Sequence, residues 1–466
     1  MKAVFVGGGA VRLVGILRAA FHHRGMFEGG EINLYDINVP RAEAVAKMLM
    51  KTPEFARVKC KLIWGTTLEK ALEGADMVGV ILMAGSQKTA QLGDKVSRDH
   101  GFLSSDNVSP NGAFLGIKGG PILLNVATKM EQYCPQAWLV DFANPIAVHS
   151  AMINNHTAIE ALGVCGGYTN HQWDLGRIMF GKDEQSTAFD VETAGINHLS
   201  FILKGTCNGQ DLFKALDRRL DREWTMCPLQ KHLPAWSQKS ITRSVTNLVR
   251  FYRQLGVVIF STEGDGMAHL YYDELFQMEA RESKPRTLAQ INASVKNTAK
   301  HRKEFDQTFQ ALLNTDIDPK FWDTGWKDRG MGWADRADRD IFVELLRGLA
   351  GETIKVVTSR LNNGAVAGFT DRTCLEYSQI VKGGVIRPAG HYEVPGVVHG
   401  LISSLATHQT MLADAIATDD PKLLAKALLA YPVKQFSKEA RSLFKDLAKI
   451  NRDEMSPGLR RVGEYL

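Results

Sequence analysis

The chain opens with Lys2-Ala3-Val4-Phe5-Val6, a short β-branched and aromatic run. That run stops at Gly7-Gly8-Gly9, and from Val11 to His22 apolar residues recur at helical spacing. A strand, a glycine turn and a helix in that order constrain the fold more than any other stretch, because a parallel sheet is built from repeats of this unit. The repeats follow. Ile32 to Asp36 reads as a second strand and Ala42 to Met50 as its helix. Met77 to Met83, Trp138 to Phe142 and Ala161 to Val164 read as further strands, with a helix from Pro121 to Gln132. The expected fold class is α/β, with an N-terminal Rossmann-like doubly wound parallel sheet.

From Val191 the texture changes. Helical periods dominate in Ser244 to Leu255, Arg339 to Leu349, Val397 to Ala417 and Pro421 to Leu429, beside a strand-like Gly256 to Phe260. A mixed α+β, helix-rich C-terminal domain is expected. The division is a dinucleotide-binding domain over 1–190 and a substrate-binding, metal-binding and oligomerisation domain over 191–466, with the active site between them. The length of 466 residues has room for both.

Composition removes other classes. Hydrophobic residues make up 44% and charged residues 23%, and the net charge is +5 with no long block of one sign. These are globular values, and they give no argument for a nucleic-acid partner. Six scattered cysteines form no CxxC pair, the start MKAVFVGGG lacks the features of a signal peptide, and no apolar run reaches the about eighteen residues of a membrane span. Reduced thiols in a cytoplasm and no membrane partner are expected.

The glycine turn is where chemistry enters. Backbone N–H groups at a helix N-terminus can approach a pyrophosphate closely when no Cβ intervenes. Within Gly7-Gly8-Gly9, Gly7 and Gly9 fit a GxGxxG pattern, but Arg12 stands at its third glycine. Asp36, at the end of the second strand, can accept hydrogen bonds from a ribose 2′-OH and repel a 2′-phosphate, which favours NAD over NADP.

Five segments then follow in order: Gly7-Gly8-Gly9, Phe142-Ala143-Asn144-Pro145, Gly163-Val164-Cys165-Gly166-Gly167, Ala194-Gly195-Ile196-Asn197-His198 and Leu361-Asn362-Asn363-Gly364. Over nearly the whole chain this order resembles glycoside hydrolase family 4. The resemblance implies a lactate/malate dehydrogenase-like architecture and cleavage of a glycosidic bond with NAD and a divalent metal, usually Mn²⁺. It implies transient oxidation at sugar C3, removal of the acidified C2 proton, elimination at C1, addition of water and re-reduction. A homodimer or homotetramer acting on a small-molecule glycoside is expected.

By the same resemblance Cys165 and His198 match the metal ligands, Asn144 the substrate-orienting asparagine, Asn197 a further hydroxyl contact and Asp106 a glutamate of family members. Asp265 is the expected base, with Tyr271 and His269 as alternates. Gly166 leaves no side chain to protonate the leaving oxygen, and His171 is the substitute. Relatives acting on 6-phosphoglycosides carry an arginine where Ala90 stands and a small hydroxyl residue where Ala10 stands, so a non-phosphorylated hexoside or a uronide is expected, the latter near Arg12, Lys88 and Lys95. The competing expectation is an NAD-dependent dehydrogenase of a hydroxy acid or sugar.

Overall fold

The computed structural model describes residues 1–184, 186–220, 224–231, 233–259, 264–271, 274–275, 286–338 and 340–466, with the side chains of 24, 167–171 and 328 outside that description. Strands β1 (Lys2–Val6), β2 (Glu31–Tyr35), β3 (Lys61–Trp64), β4 (Met77–Val80), β5 (Trp138–Asp141) and β6 (Ala161–Gly163) pair in parallel in the order β3-β2-β1-β4-β5-β6. This is the doubly wound order, and the strand sequence reverses between β1 and β4.

Side-chain alternation explains why these strands read as apolar runs. Val4, Val6, Val78 and Val80 enter one core, while Ala3, Phe5, Ile32, Leu34 and Met77 enter the other, so both faces of the sheet are covered. The helices that cover them are α1 (Arg12–His22), α2 (Val39–Met50), α3 (Leu68–Leu72), α4 (Gln87–Asp99), α5 (Pro110–Tyr133), α6 (Ile146–His156) and α7 (Gly167–Phe180). Their starts follow capping chemistry. Asn38 accepts from Arg41 N–H, Ser86 from Thr89 N–H and Ser109 from Gly112 N–H, and Pro110 occupies the first turn of α5. The helix expected over Pro121 to Gln132 is thus the second half of α5.

The sheet does not end at β6. Strand β11 (Ile354–Leu361) pairs antiparallel with β6 through Ser359 and Gly163, and the sheet continues through β12 (Cys374–Lys382), β7 (Phe189–Ile196), β8 (Leu199–Cys207) and β10 (Val258–Ile259). Strands β9 (Gln210–Asp211) and β13 (Val385–Pro388) pair with β8 and β12. The division expected at 190/191 therefore falls inside β7, and backbone hydrogen bonds run unbroken from one half to the other. Helices α8 (Leu212–Leu220), α9 (Ala235–Leu255) and α10 (Gly264–Ala268) follow, with longer helices at Leu288–Leu313 and Gly396–Thr418. Among the described residues no helix is long and apolar enough to cross a membrane.

Candidate active site

The carboxyl ends of β2, β1, β4, β5 and β6 lie side by side, and Asp36, Gly7, Asn144 and Cys165 follow β2, β1, β5 and β6. After β1, Gly7 has φ +90°, and a Cβ there would lie 1.9 Å from the Ile81 carbonyl oxygen, so only glycine fits. Gly7 and Gly8 donate to the Tyr35 carbonyl, and Gly9 N–H donates to Asp36 Oδ2 at 2.9 Å. Asp36 also accepts from Asn38 N–H. The carboxylate is thereby fixed at the edge of the turn.

Helix α1 has Val11 as its N-cap, with no side-chain cap and no acidic residue in its first turn; Leu13 and Val14 N–H bond the Ala10 and Val11 carbonyls, and the positive end of the helix still favours an external anion. Two apolar side chains missed in the sequence flank this turn: Ile37 after β2 is 95% exposed and Met83 after β4 is 76% exposed. They suit the faces of a flat aromatic ring. Arg12 is turned away from the role of the third glycine and binds Asp340 at 2.9 Å over the Phe142 ring.

After β6 comes Cys165. Its Sγ lies 3.7 Å from His198 Nε2, although thirty-two residues separate the two in the chain. Donors each about 2.0–2.3 Å from one cation stand about 3–4 Å apart, so the pair fits a single ion. Among the described residues no three His, Cys, Asp or Glu side chains are arranged to hold a metal, and the two donors that meet are Cys165 and His198.

His198 is placed by the two-residue loop between β7 and β8, where Ile196 pairs with Leu199, and it has φ +69°. A Cβ at Gly266 would lie 1.7 Å from the His198 carbonyl oxygen, so the turn and α10 touch backbone to backbone. Asp265 Oδ1 lies 3.0 Å from His198 Nδ1 and accepts from Gly266 N–H, while Oδ2 accepts from Ser105 Oγ at 2.6 Å and Val108 N–H at 2.9 Å. Burial alone would push Asp265 up, but the His198 charge and these hydrogen bonds outweigh it and hold the carboxyl far below the usual range. Burial would likewise push His198 down, and Asp265 reverses that and holds it well above its ordinary value.

This geometry corrects the expectation for Asp265. His198 and Gly266 occupy its Oδ1 and Ser105 and Val108 its Oδ2, so no free lone pair is left for a base over C2. It instead forms a carboxylate–histidine pair, an arrangement that fixes the orientation of the imidazole.

Asn197 is also placed differently from a hydroxyl contact. It is buried, its Nδ2 donates to Glu376 Oε2 at 2.7 Å and its Oδ1 accepts from Asn107 Nδ2 at 2.6 Å. The same Asn107 Nδ2 lies 3.0 Å from Asn144 Oδ1, and Ser200 Oγ lies 2.6 Å from Glu376 Oε1. Burial pushes the Glu376 carboxyl up, opposed by Ser200 and Asn197. Asp106 stands exposed at the loop tip, and its neighbour Asn107 enters the site. Neither Asn107 nor Glu376 was legible beforehand, because their placement depends on a loop and a strand distant in sequence.

Among the other candidates, Tyr271 turns to α9: its hydroxyl donates to Gln254 Oε1 at 2.8 Å, its ring stacks on Phe251 and Arg250 covers its face. The structure does not bring it to the cysteine–histidine pair. His269 contacts the Asp265 carbonyl and the Tyr431 hydroxyl. The side chain of His171 lies outside the described residues. Lys95 pairs with Asp99, and Lys88 is exposed on α4. Lys118, buried under α4, is neutralised by Glu454 at 3.3 Å, which also accepts from Ser86 N–H and Thr89 Oγ1.

A family model described as "Family 4 glycosyl hydrolase" matches residues 2–179, and one described as "Family 4 glycosyl hydrolase C-terminal domain" matches residues 193–433. A 6-phospho-beta-glucosidase of Escherichia coli (strain K12) is 25% identical over 219 residues, covering 46% of this chain and 48% of that protein. An alpha-galacturonidase of Thermoanaerobacter italicus is 23% identical over 469 residues, covering 96% of this chain and 95% of that one. The solved structure of a 6-phospho-alpha-glucosidase from gut microorganisms, in complex with NAD and Mn²⁺, superposes with a TM-score of 0.76 at 16% identity, covering 97% of this chain and 98% of that one.

Proposed function

This chain belongs to the family 4 glycosyl hydrolases, and from that premise we propose that it uses NAD and Mn²⁺ to cleave the glycosidic bond of a non-phosphorylated hexoside or uronide. One observation carries the proposal. The thiol of Cys165 and the imidazole of His198 meet 3.7 Å apart, beside the same row of strand ends that carries the glycine turn. When bound, NAD supplies transient oxidation at sugar C3, and Mn²⁺ supplies Lewis acidity at the C2 and C3 oxygens.

The residues divide the remaining work. Gly7 to Gly9 and the first turn of α1 receive the pyrophosphate, Asp36 accepts from the ribose, and Ile37 and Met83 enclose the adenine. Cys165 and His198 hold the cation, and Asp265 fixes the His198 ring from behind. Asn144 orients the sugar through a hydroxyl. His171 keeps the role of proton donor to the leaving oxygen, which Gly166 cannot fill. The C2 proton is assigned to no described side chain.

The substrate class rests on charge pairing. Arg12, Lys95 and Lys118 each face a carboxylate, namely Asp340, Asp99 and Glu454. A 6-phosphate finds no bidentate arginine at Ala90, whereas the single charge of a uronide carboxylate can be met by the exposed Lys88. Aryl α- and β-hexosides, uronides and 6-phosphoglycosides offered with NAD⁺ and Mn²⁺ test this. Aglycone release is expected only with both cofactors present, with catalytic amounts of NAD⁺, and at least tenfold more slowly for the phosphorylated analogue. Full release after EDTA treatment and cofactor stripping overturns the proposal. One NADH formed per substrate without aglycone release would identify a plain dehydrogenase.

A further inference from the structure

The buried amides beside the metal-ligand pair form a ladder with one end that can only accept. Glu376 Oε2 faces Asn197 at 2.7 Å, and Ser200 Oγ lies 2.6 Å from Oε1 and 3.0 Å from the Ile196 carbonyl. With Ser200 giving its hydrogen to Oε1, the Glu376 carboxylate has only acceptors, so Oε2 accepts from Asn197. Asn197 must then present its NH₂ to Glu376 and its carbonyl to Asn107. Asn107 must answer with its own NH₂, and the same NH₂ group reaches Asn144 at 3.0 Å, which must present its carbonyl. What Asn144 has left for a ligand is its NH₂.

Asn107 spends its NH₂ on both neighbours and leaves its own Oδ1 buried without a hydrogen-bond partner. We infer that Glu376, acting through Asn197 and Asn107, fixes Asn144 with its N–H groups toward the ligand. Glu376 and Asn107 are thus positioning residues, and the ligand atom they serve is an oxygen acceptor such as a sugar hydroxyl or the ketone it becomes. This rests on the proposed function only in placing a sugar opposite Asn144.

The ladder can be run backwards. Asn107→Asp puts acceptors opposite the Asn144 and Asn197 carbonyls. Asn144 can turn its amide over, but Asn197 cannot while Glu376 stands behind it, so Tm is expected to fall by roughly 5 °C or more. Adding Glu376→Gln supplies an N–H for a turned Asn197 and restores the net charge. The double variant is expected to recover at least half of the lost Tm and to bind Mn²⁺ like the wild type by electron paramagnetic resonance. Its kcat/KM stays about tenfold or more below wild type, because Asn144 now shows a carbonyl. Recovery of stability and kcat/KM together overturns the donor assignment, and additive Tm losses overturn the ladder. If Asn107→Asp gives no folded protein, a folded double variant supports the ladder and an unfolded one refutes it. A wild type that releases no sugar counts against the proposed function, and the melting cycle then decides the ladder alone.

Discussion

His198 occupies a backbone conformation that a histidine rarely takes. At φ +69° in a two-residue hairpin loop, a side chain with a Cβ costs of order 1 kcal/mol that glycine would not, and the imidazole is held there by Asp265 behind it and Gly266 beneath it. Strain retained at a residue that faces the thiol of Cys165 is expected where position matters more than stability. Asp265→Asn keeps the shape but sets an NH₂ against the Ser105 and Val108 donors and removes the charge beside Nδ1. Mn²⁺ affinity, read by electron paramagnetic resonance titration, is expected to fall roughly 10–100-fold. Unchanged affinity would remove Asp265 from the orienting role. At the other end of the cleft Asp36→Ala is expected to weaken NAD⁺ binding by about tenfold or more in calorimetric titration while leaving Mn²⁺ binding alone. Equal losses of both would take Asp36 out of the ribose site.

At the level of elements, the parallel strands β1, β2, β4, β5 and β6 were legible as short, largely apolar runs, whereas β3 was not, because Lys61–Trp64 at the sheet edge buries only Leu62. Strands β7, β8, β11 and β12 were not, because Thr193, Ser200, Thr358, Ser359, Glu376, Ser378 and Gln379 are buried polar residues satisfied largely across strands, which breaks the pattern that a single sequence displays. The same gap hid Glu376 and Asn107. Gly-rich residues 111–120 likewise hid the first half of α5, whose start depends on the Ser109 cap. Cys165, His198 and Asn144 came from the family resemblance, since no ligand spacing marks them. Packing of Gly396–Thr418 on Pro421–Leu429 supplies an element-level test. His408 donates to the Ala427 carbonyl beside Tyr431 and His269, and burial pushes its pKa down to about 4. Below its unfolded value of 6.5 the unfolded chain takes a proton that the folded one refuses, so stability is lost as pH falls from 6.5 toward 4. His408→Asn keeps the donor without the titration. Between pH 7 and 5 it is expected to lose about 2 kcal/mol less than the wild type in urea unfolding. Parallel pH profiles would show that His408 is not the group responsible.

For the whole molecule, one sheet carrying both halves has a consequence for how the site is assembled. The glycine turn, Asn144 and Cys165 come from residues 1–190, whereas His198, Asp265 and Glu376 come from the remainder, so neither half contains the whole cysteine–histidine pair or the whole amide ladder. The join is made by backbone pairing: Gly163 of β6 against Ser359 of β11, and Phe189 and Asp190 of β7 against Cys207 and Thr206 of β8. Cutting at 190/191 leaves β6 as an open edge and exposes apolar side chains such as Leu162 and Val164, which share a core with Val356 and Val381. Residues 1–190 produced alone are expected to aggregate or to elute as large species on size exclusion, and to bind Mn²⁺ at least a hundredfold more weakly than the full chain. A monomeric, folded 1–190 fragment that binds NAD⁺ with wild-type affinity would mean that the extension beyond β6 adds chemistry without holding the dinucleotide sheet together.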